Sequence, residues 1–367
     1  MPETTEHRDL RAAVRGLIAQ EHAHDAPYLP GGTTPRTSRL WQRLCAEIGV
    51  AGLAIPERFG GAGAGPAEIG VVQEELGREL AGTPMLGSAV LATQALLGSG
   101  DETACARLLP ALADGSVTAA LAWTTASGRW DPAEVACRAA AAPGEDWIID
   151  GEAHYVLDGA GAEVLLVPAQ AETEIGLFEV EPAQPAVTRS PATSMDQSRR
   201  LATVRLDGAR GRKIGGPAAL ARARDLGCIA LAAEQAGAAA RALEITVEYT
   251  KTRVQFGRPI GSFQALQHRM ADLFVLAESA RSLSRAAADA AERDAPDLAV
   301  RAAAAKAYCS EALLEVSAEM LQLHGAIAMT WEHVAHRYFK RAHGGARLLG
   351  SPSEHVARVA AEVIDGV

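Results

Sequence analysis

The chain has 367 residues, 48% hydrophobic and 22% charged, enough apolar material for two or three packed subdomains and too much for wholesale disorder. A net charge of −10 would repel a nucleic-acid backbone, and no block of Lys and Arg interleaved with aromatics offsets it. No apolar run reaches the length of a membrane span, and Met1 to Val14 show no basic-then-apolar leader pattern, so a cytoplasmic chain is expected.

In chain order, residues from about Glu6 to Ala119 read as helical. RLWQRLCAEIGVAGL places Leu40, Leu44 and Ile48 at helical spacing and ends on Gly49. AIPERFGGAGAG is a Pro/Gly connector, and AEIGVVQEELGREL resumes a helical period with Glu74, Glu75 and Arg78 on its wetter side. From Leu121 the texture changes. LAWTTAS, DWIIDGEAHYVLDGA, EVLLVPA, EIGLFEV and LATVRLDGA are short β-prone runs broken by Gly, Pro and Asp. Beyond Pro217 long Ala/Leu/Arg helices return, broken at Gly257–Gly261, Asp294–Pro296 and near Gly325. The expected fold is α+β: an N-terminal helical domain (1–119), a small antiparallel β-domain (120–212) and a C-terminal helical bundle (213–367). The five scattered cysteines (Cys45, Cys105, Cys137, Cys228, Cys309) form no C-x-x-C pair or zinc-like spacing, so they read as small buried hydrophobes and no metal is expected.

Three segments give the chain a family likeness. The first comprises Trp41, Leu44, GLAIPERFGGAGAG, EELGREL and Thr83-Pro84; the second is RVQFGRPIGSFQALQHRMADL; the third is MLQLHGAIAMTWEHVAHRYFKR, Met320 to Arg341. In this order and spacing the chain resembles the acyl-CoA dehydrogenases over almost its whole length. The resemblance implies helical domain, β-domain and four-helix C-terminal bundle, with FAD as cofactor. In that family the pyrophosphate and ADP half of FAD is held largely by a neighbouring subunit. The residues concerned fall here on Arg253, Gln255 and Phe256, on Phe263 and Gln264, and on Gln322, Leu323, His324, Gly325 and Ala326. The chemistry is consistent: a doubly charged pyrophosphate calls for a forked guanidinium, and glycine at a helix end lets backbone N–H groups approach it. Without the resemblance, an Arg and Gln at a helix break read as solvated caps, and His324 and His336 as core or surface residues. Ala326 stands where the family usually has a second Gly, and its methyl is expected to crowd the site.

The reaction implied removes the α-proton of an acyl-CoA with a glutamate while the β-hydrogen leaves as hydride to the flavin. The two places that usually supply this base fall on Leu349 and Gly227, neither acidic. Asp225 and Glu234 are close in sequence, but two residues along a helix turn a side chain by about 200°, so both read as solvated helix charges. The flavin-facing segments are altered too: WTTASGRWDP keeps Thr124 and Thr125 but loses the acidic and Gly-Ser-Asp elements, and GEAHYVLD has Tyr155 for a Trp and Leu157 for a Thr. Groups lent to a neighbour's FAD are kept; those serving the chain's own are lost. This pattern resembles the short subunits of actinobacterial heterotetrameric (α2β2) acyl-CoA dehydrogenases that act on bulky, notably steroid side-chain, CoA thioesters. It implies a longer homologous partner, an acyl-CoA substrate and an electron-transferring flavoprotein as acceptor. The alternatives are a homotetramer with a displaced base or an acyl-carrier-protein substrate, and a non-catalytic acyl-CoA-binding scaffold.

Overall fold

The structure is a computed structural model that describes residues 4–22, 35–144 and 146–365, at 35–38 and 365 by backbone alone. Residues 1–3 of the N-terminal segment and 23–34, inside the stretch read as helical, lie outside the described residues. In order come α1 (Thr5–His22), α2 (Pro35–Arg43), α3 (Pro66–Arg78), a π-wound stretch at Met85–Ala92, α4 (Thr93–Leu97) and α5 (Glu102–Ala113). Next are β1 (Ala119–Leu121), β2 (Cys137–Ala141), β3 (Asp146–Leu157), β4 (Val164–Ala171), β5 (Glu174–Val180), β6 (Val187–Pro191) and β7 (Leu201–Gly215). Last are α6 (Pro217–Thr252), β8 (Val254–Gln255), β9 (Arg258–Pro259), α7 (Gln264–Glu292), α8 (Leu298–His324), α9 (Ala335–Arg347) and α10 (Pro352–Asp365). These fall into two compact units: Thr4–Ile69 with Gly82–Gly227, and Gly70–Ala81 with Cys228 onward.

In the first unit the local signals act as expected. Gly49 takes φ +80 and stops the Leu44–Ile48 turn, and Asp101 caps α5 by accepting from Ala104 N at 2.9 Å. The sheet departs from an all-antiparallel one. β4 runs parallel to both β1 and β2, and it also pairs with β5, so β4-β2-β3-β7-β5 closes on itself as a barrel. Alternate residues Leu165, Val167, Ala169, Phe178, Val180, Val204 and Leu206 fill one core. β4 reads as a nearly continuous apolar run, and it is buried on both faces.

The second unit is an Ala-rich helical bundle whose core includes Leu243, Leu273, Leu313, Val316, Met320 and Tyr338. Small residues let the helices touch backbone to backbone. A Cβ built at Gly77 would lie 2.0 Å from the Glu234 carbonyl oxygen, and one at Gly237 would lie 2.0 Å from that of Glu74. This crossing overturns the amphipathic reading of α3: Glu74 and Glu75 are buried, not on a wet face. Their charges are met by Arg285, 3.5 Å from Glu74, and by Arg78, 4.0 Å from Glu75. The cysteines are free; Cys105, Cys137, Cys228 and Cys309 are buried, whereas Cys45 is partly exposed. Among the described residues no helix is long and apolar enough to cross a membrane.

Gly77→Ala sets a helix-propensity gain of up to about 1 kcal/mol against a collision with backbone that cannot swing aside. The collision dominates, and a net loss of about 2 kcal/mol or more is expected in denaturant unfolding. A variant as stable as the parent would show that the two helices do not meet at this glycine.

Candidate functional site

The break in the Ala-rich helices is a two-residue hairpin. Val254 pairs with Pro259 and Gln255 with Arg258, and the tip residues Phe256 and Gly257 have φ +51 and +77. Gly257 takes that conformation freely; Phe256 does so at a cost, with its ring 93% exposed. A strained, fully presented aromatic is a functional signal. Its ring meets Phe263 edge-on at 6.1 Å, and the Arg258 guanidinium lies 4.0 Å over the Phe263 ring. Gly261 is needed where the chain turns back, because a Cβ there would stand 3.0 Å from the backbone oxygen of Thr250. Gln264 is exposed and opens α7, whose first turn carries no side-chain cap and no acid. Arg253 and Gln255 are exposed, and among the described residues Arg253 has no carboxylate partner.

The second segment is brought to the first by a residue that the sequence reading missed. The Tyr249 hydroxyl donates to the His324 carbonyl at 3.2 Å, and its ring stacks on the His324 imidazole at 4.3 Å. Arg253 follows one turn later, its N–H bonded to the Tyr249 carbonyl at 2.9 Å. The end of α6 is thereby tied to the end of α8. Gln322, Gly325 and Ala326 are exposed. Leu323 and His324 are buried, and their side chains face the bundle. They could serve a ligand only through backbone.

The two base positions are structural. Leu349 sits in the left-handed region at φ +59 with its side chain in the core. Its carbonyl accepts from His355 Nε2 at 2.8 Å, with Cys228 Sγ 3.8 Å away, and Lys306 Nζ donates to the Gly350 carbonyl at 3.2 Å. Ser351 then opens α10 in a capping box with Glu354. Gly227 is the residue before Cys228. Asp225 and Glu234, read as solvated, are both buried. Glu234 accepts from Arg341 Nε at 2.9 Å, and Asp225 lies 3.3 Å from Arg224 Nε. Both carboxylates are thus engaged by guanidiniums of this chain.

On the β unit, Tyr155 sits in a bulge between the pairs Ala153–Val204 and Val156–Ala202, at φ +55, with its ring half-exposed. Leu157 turns inward against Gly87, where an added Cβ would lie 3.1 Å away. The buried Thr124 hydroxyl donates to the His154 carbonyl at 2.6 Å, and that of Thr125 lies 2.7 Å from Ser127 Oγ. Neither the leucine nor the Thr124 hydroxyl is placed to meet an outside ring.

Comparison with known proteins agrees with this frame. Models of the acyl-CoA dehydrogenase N-terminal and C-terminal domains match residues 4–116 and 216–364. The chain belongs to the acyl-CoA dehydrogenase family. It is 40% identical to acyl-CoA dehydrogenase IpdE2 of Mycobacterium tuberculosis over 99% of each chain. Among solved structures it is similar to a variant of the Tcur3481-Tcur3483 steroid ACAD (32% identity, TM-score 0.88, 98% of each chain). It is also similar to the ChsE4-ChsE5 complex of M. tuberculosis (28% identity, TM-score 0.88, 99% of this chain and 98% of that one). The family's members depend on FAD, and the unneutralised Arg253, the uncapped start of α7 and the exposed Phe256 fit the nucleotide end of that cofactor.

Burial holds the His324 pKa below its ordinary 6.5; the Met320 carbonyl acts in the opposite sense, and His333 adds to the depression. The unfolded chain therefore binds the extra proton at a higher pH than the folded one. This contribution to stability is full above the ordinary value and is lost as pH falls below it. The thermal midpoint should fall between about pH 7 and about pH 5, and His324→Gln should make that fall shallower. An unchanged slope would contradict the assignment.

Proposed function

We propose that this chain is one subunit type of an α2β2, FAD-dependent acyl-CoA dehydrogenase, lacking a base of its own and completing the FAD site of a longer homologous partner. The state of the base positions carries this reading. Leu349 is a core residue, Gly227 has no side chain, and the nearby carboxylates of Asp225 and Glu234 lie against arginines. The hairpin that would be lent outward is meanwhile exposed and uncompensated in charge. A scaffold that had abandoned flavin would have no use for such a face, since uncompensated cations and a strained aromatic bring no stability of their own.

In this assembly Arg253, Gln255, Gln264 and Gln322 hold the phosphate end of FAD, with Phe256 and Phe263 supplying apolar cover. When bound, FAD supplies the acceptor for the hydride that leaves the β-carbon. The α-proton goes to a carboxylate of the partner, because this chain's own carboxylates are engaged. The substrate class is a bulky acyl-CoA of the steroid side-chain type, a reading supported by the similarity to a steroid ACAD structure. An electron-transferring flavoprotein as acceptor follows from family likeness alone, as does a cytoplasmic location.

Expressed alone, the chain should show no acyl-CoA-dependent dye reduction, and co-expression with a longer dehydrogenase of the same genome should restore it. In that complex Arg253→Ala should weaken FAD retention by about tenfold. Turnover by the chain alone would overturn the proposal.

A further inference from the structure

We propose that Arg258, which lies outside the residues assigned by family likeness, is a second phosphate-binding arginine beside Arg253. The inference deepens the reading above and rests on it.

Gln255 lies directly opposite Arg258, and the Ile260 N–H bonded to the Arg253 carbonyl at 2.8 Å carries the ladder one residue further. Side chains alternate along a strand and pair across it, so Arg253, Gln255 and Arg258 stand on one face of the hairpin. The Arg258 guanidinium carbon lies 4.0 Å from the centre of the Phe263 ring, a cation–π contact that places the group against the aromatic cover while the residue stays exposed. The chain has 45 acidic against 35 basic residues, and cations close by are neutralised: Lys251 by Glu248 at 2.6 Å and Arg269 by Glu319. Among the described residues neither Arg253 nor Arg258 has a carboxylate partner. Two like charges on one small hairpin repel each other unless an anion lies between them, and a pyrophosphate carries the matching double charge.

The test uses the chain co-purified with its dehydrogenase partner, stripped of flavin and titrated with FAD by flavin fluorescence, with ADP as competitor. Arg258→Ala should weaken FAD and ADP by about tenfold and flatten the salt dependence of binding. Arg258→Lys should recover less than half of the loss, because an ammonium lacks the planar fork that meets two phosphate oxygens at once. Since Arg258 is exposed, the thermal midpoint should not move. If Arg253→Ala weakens FAD while Arg258→Ala binds within about twofold of the parent, the role of Arg258 is refuted and the function proposed above stands. If both variants bind as the parent does, that function fails and Arg258 falls with it. A weakened Arg258→Ala that keeps the full salt dependence would make the residue a packing element and refute the phosphate contact.

Discussion

The contact on which the candidate site depends is that of Tyr249 with His324. Its hydroxyl bonds to the carbonyl that ends α8, and its ring covers the imidazole below. One turn beyond Tyr249 the chain leaves α6 and enters the hairpin, so this contact sets where Arg253 emerges relative to Gln322 and Ala326. The His324 Nδ1–H donates to the Met320 carbonyl at 2.8 Å, His333 packs on the ring 4.5 Å away, and burial disfavours the charged form. Without that packing the two motif segments would be two independent helix ends. With it the two helix ends are joined.

The same economy of polar groups accounts for the lack of a base that the proposed function assigns to this chain. Members of this family need a carboxylate free to take a proton. Here the corresponding turn has been drawn into the scaffold. His355, Lys306 and Cys228, from three helices, all address the carbonyls of Leu349 and Gly350, which leaves the Leu349 side chain in the core. A buried acid in its place would need a partner of its own, and Arg341 is already bound to Glu234. On the proposed function, the loss is built into the packing rather than being a single replaced side chain.

Much of this was legible in the sequence, and the exceptions share a cause. Helix breaks at Gly257–Gly261, Pro296 and Gly325, and the β texture after Leu121, follow from local backbone preference. What escaped depends on residues far apart in the chain. Glu74 and Glu75 look solvent-facing by periodicity, yet the close approach of Gly77 to Glu234 buries them. Glu234 looks like a surface charge until Arg341, 107 positions away, is found beside it. Closure of the sheet rests on β4 serving two sides, which no run of alternating residues announces. Arg258 lies inside the quoted motif and Tyr249 just before it, but their roles need the hairpin register and the α8 end to be seen.

The central claim is that this chain holds the phosphates of a flavin whose reactive ring lies in another subunit. The most direct measurement is the flavin-to-polypeptide ratio of the purified heteromer, taken from flavin absorbance and amino-acid analysis. The account predicts one FAD for each pair of unlike chains. One FAD per polypeptide would contradict it.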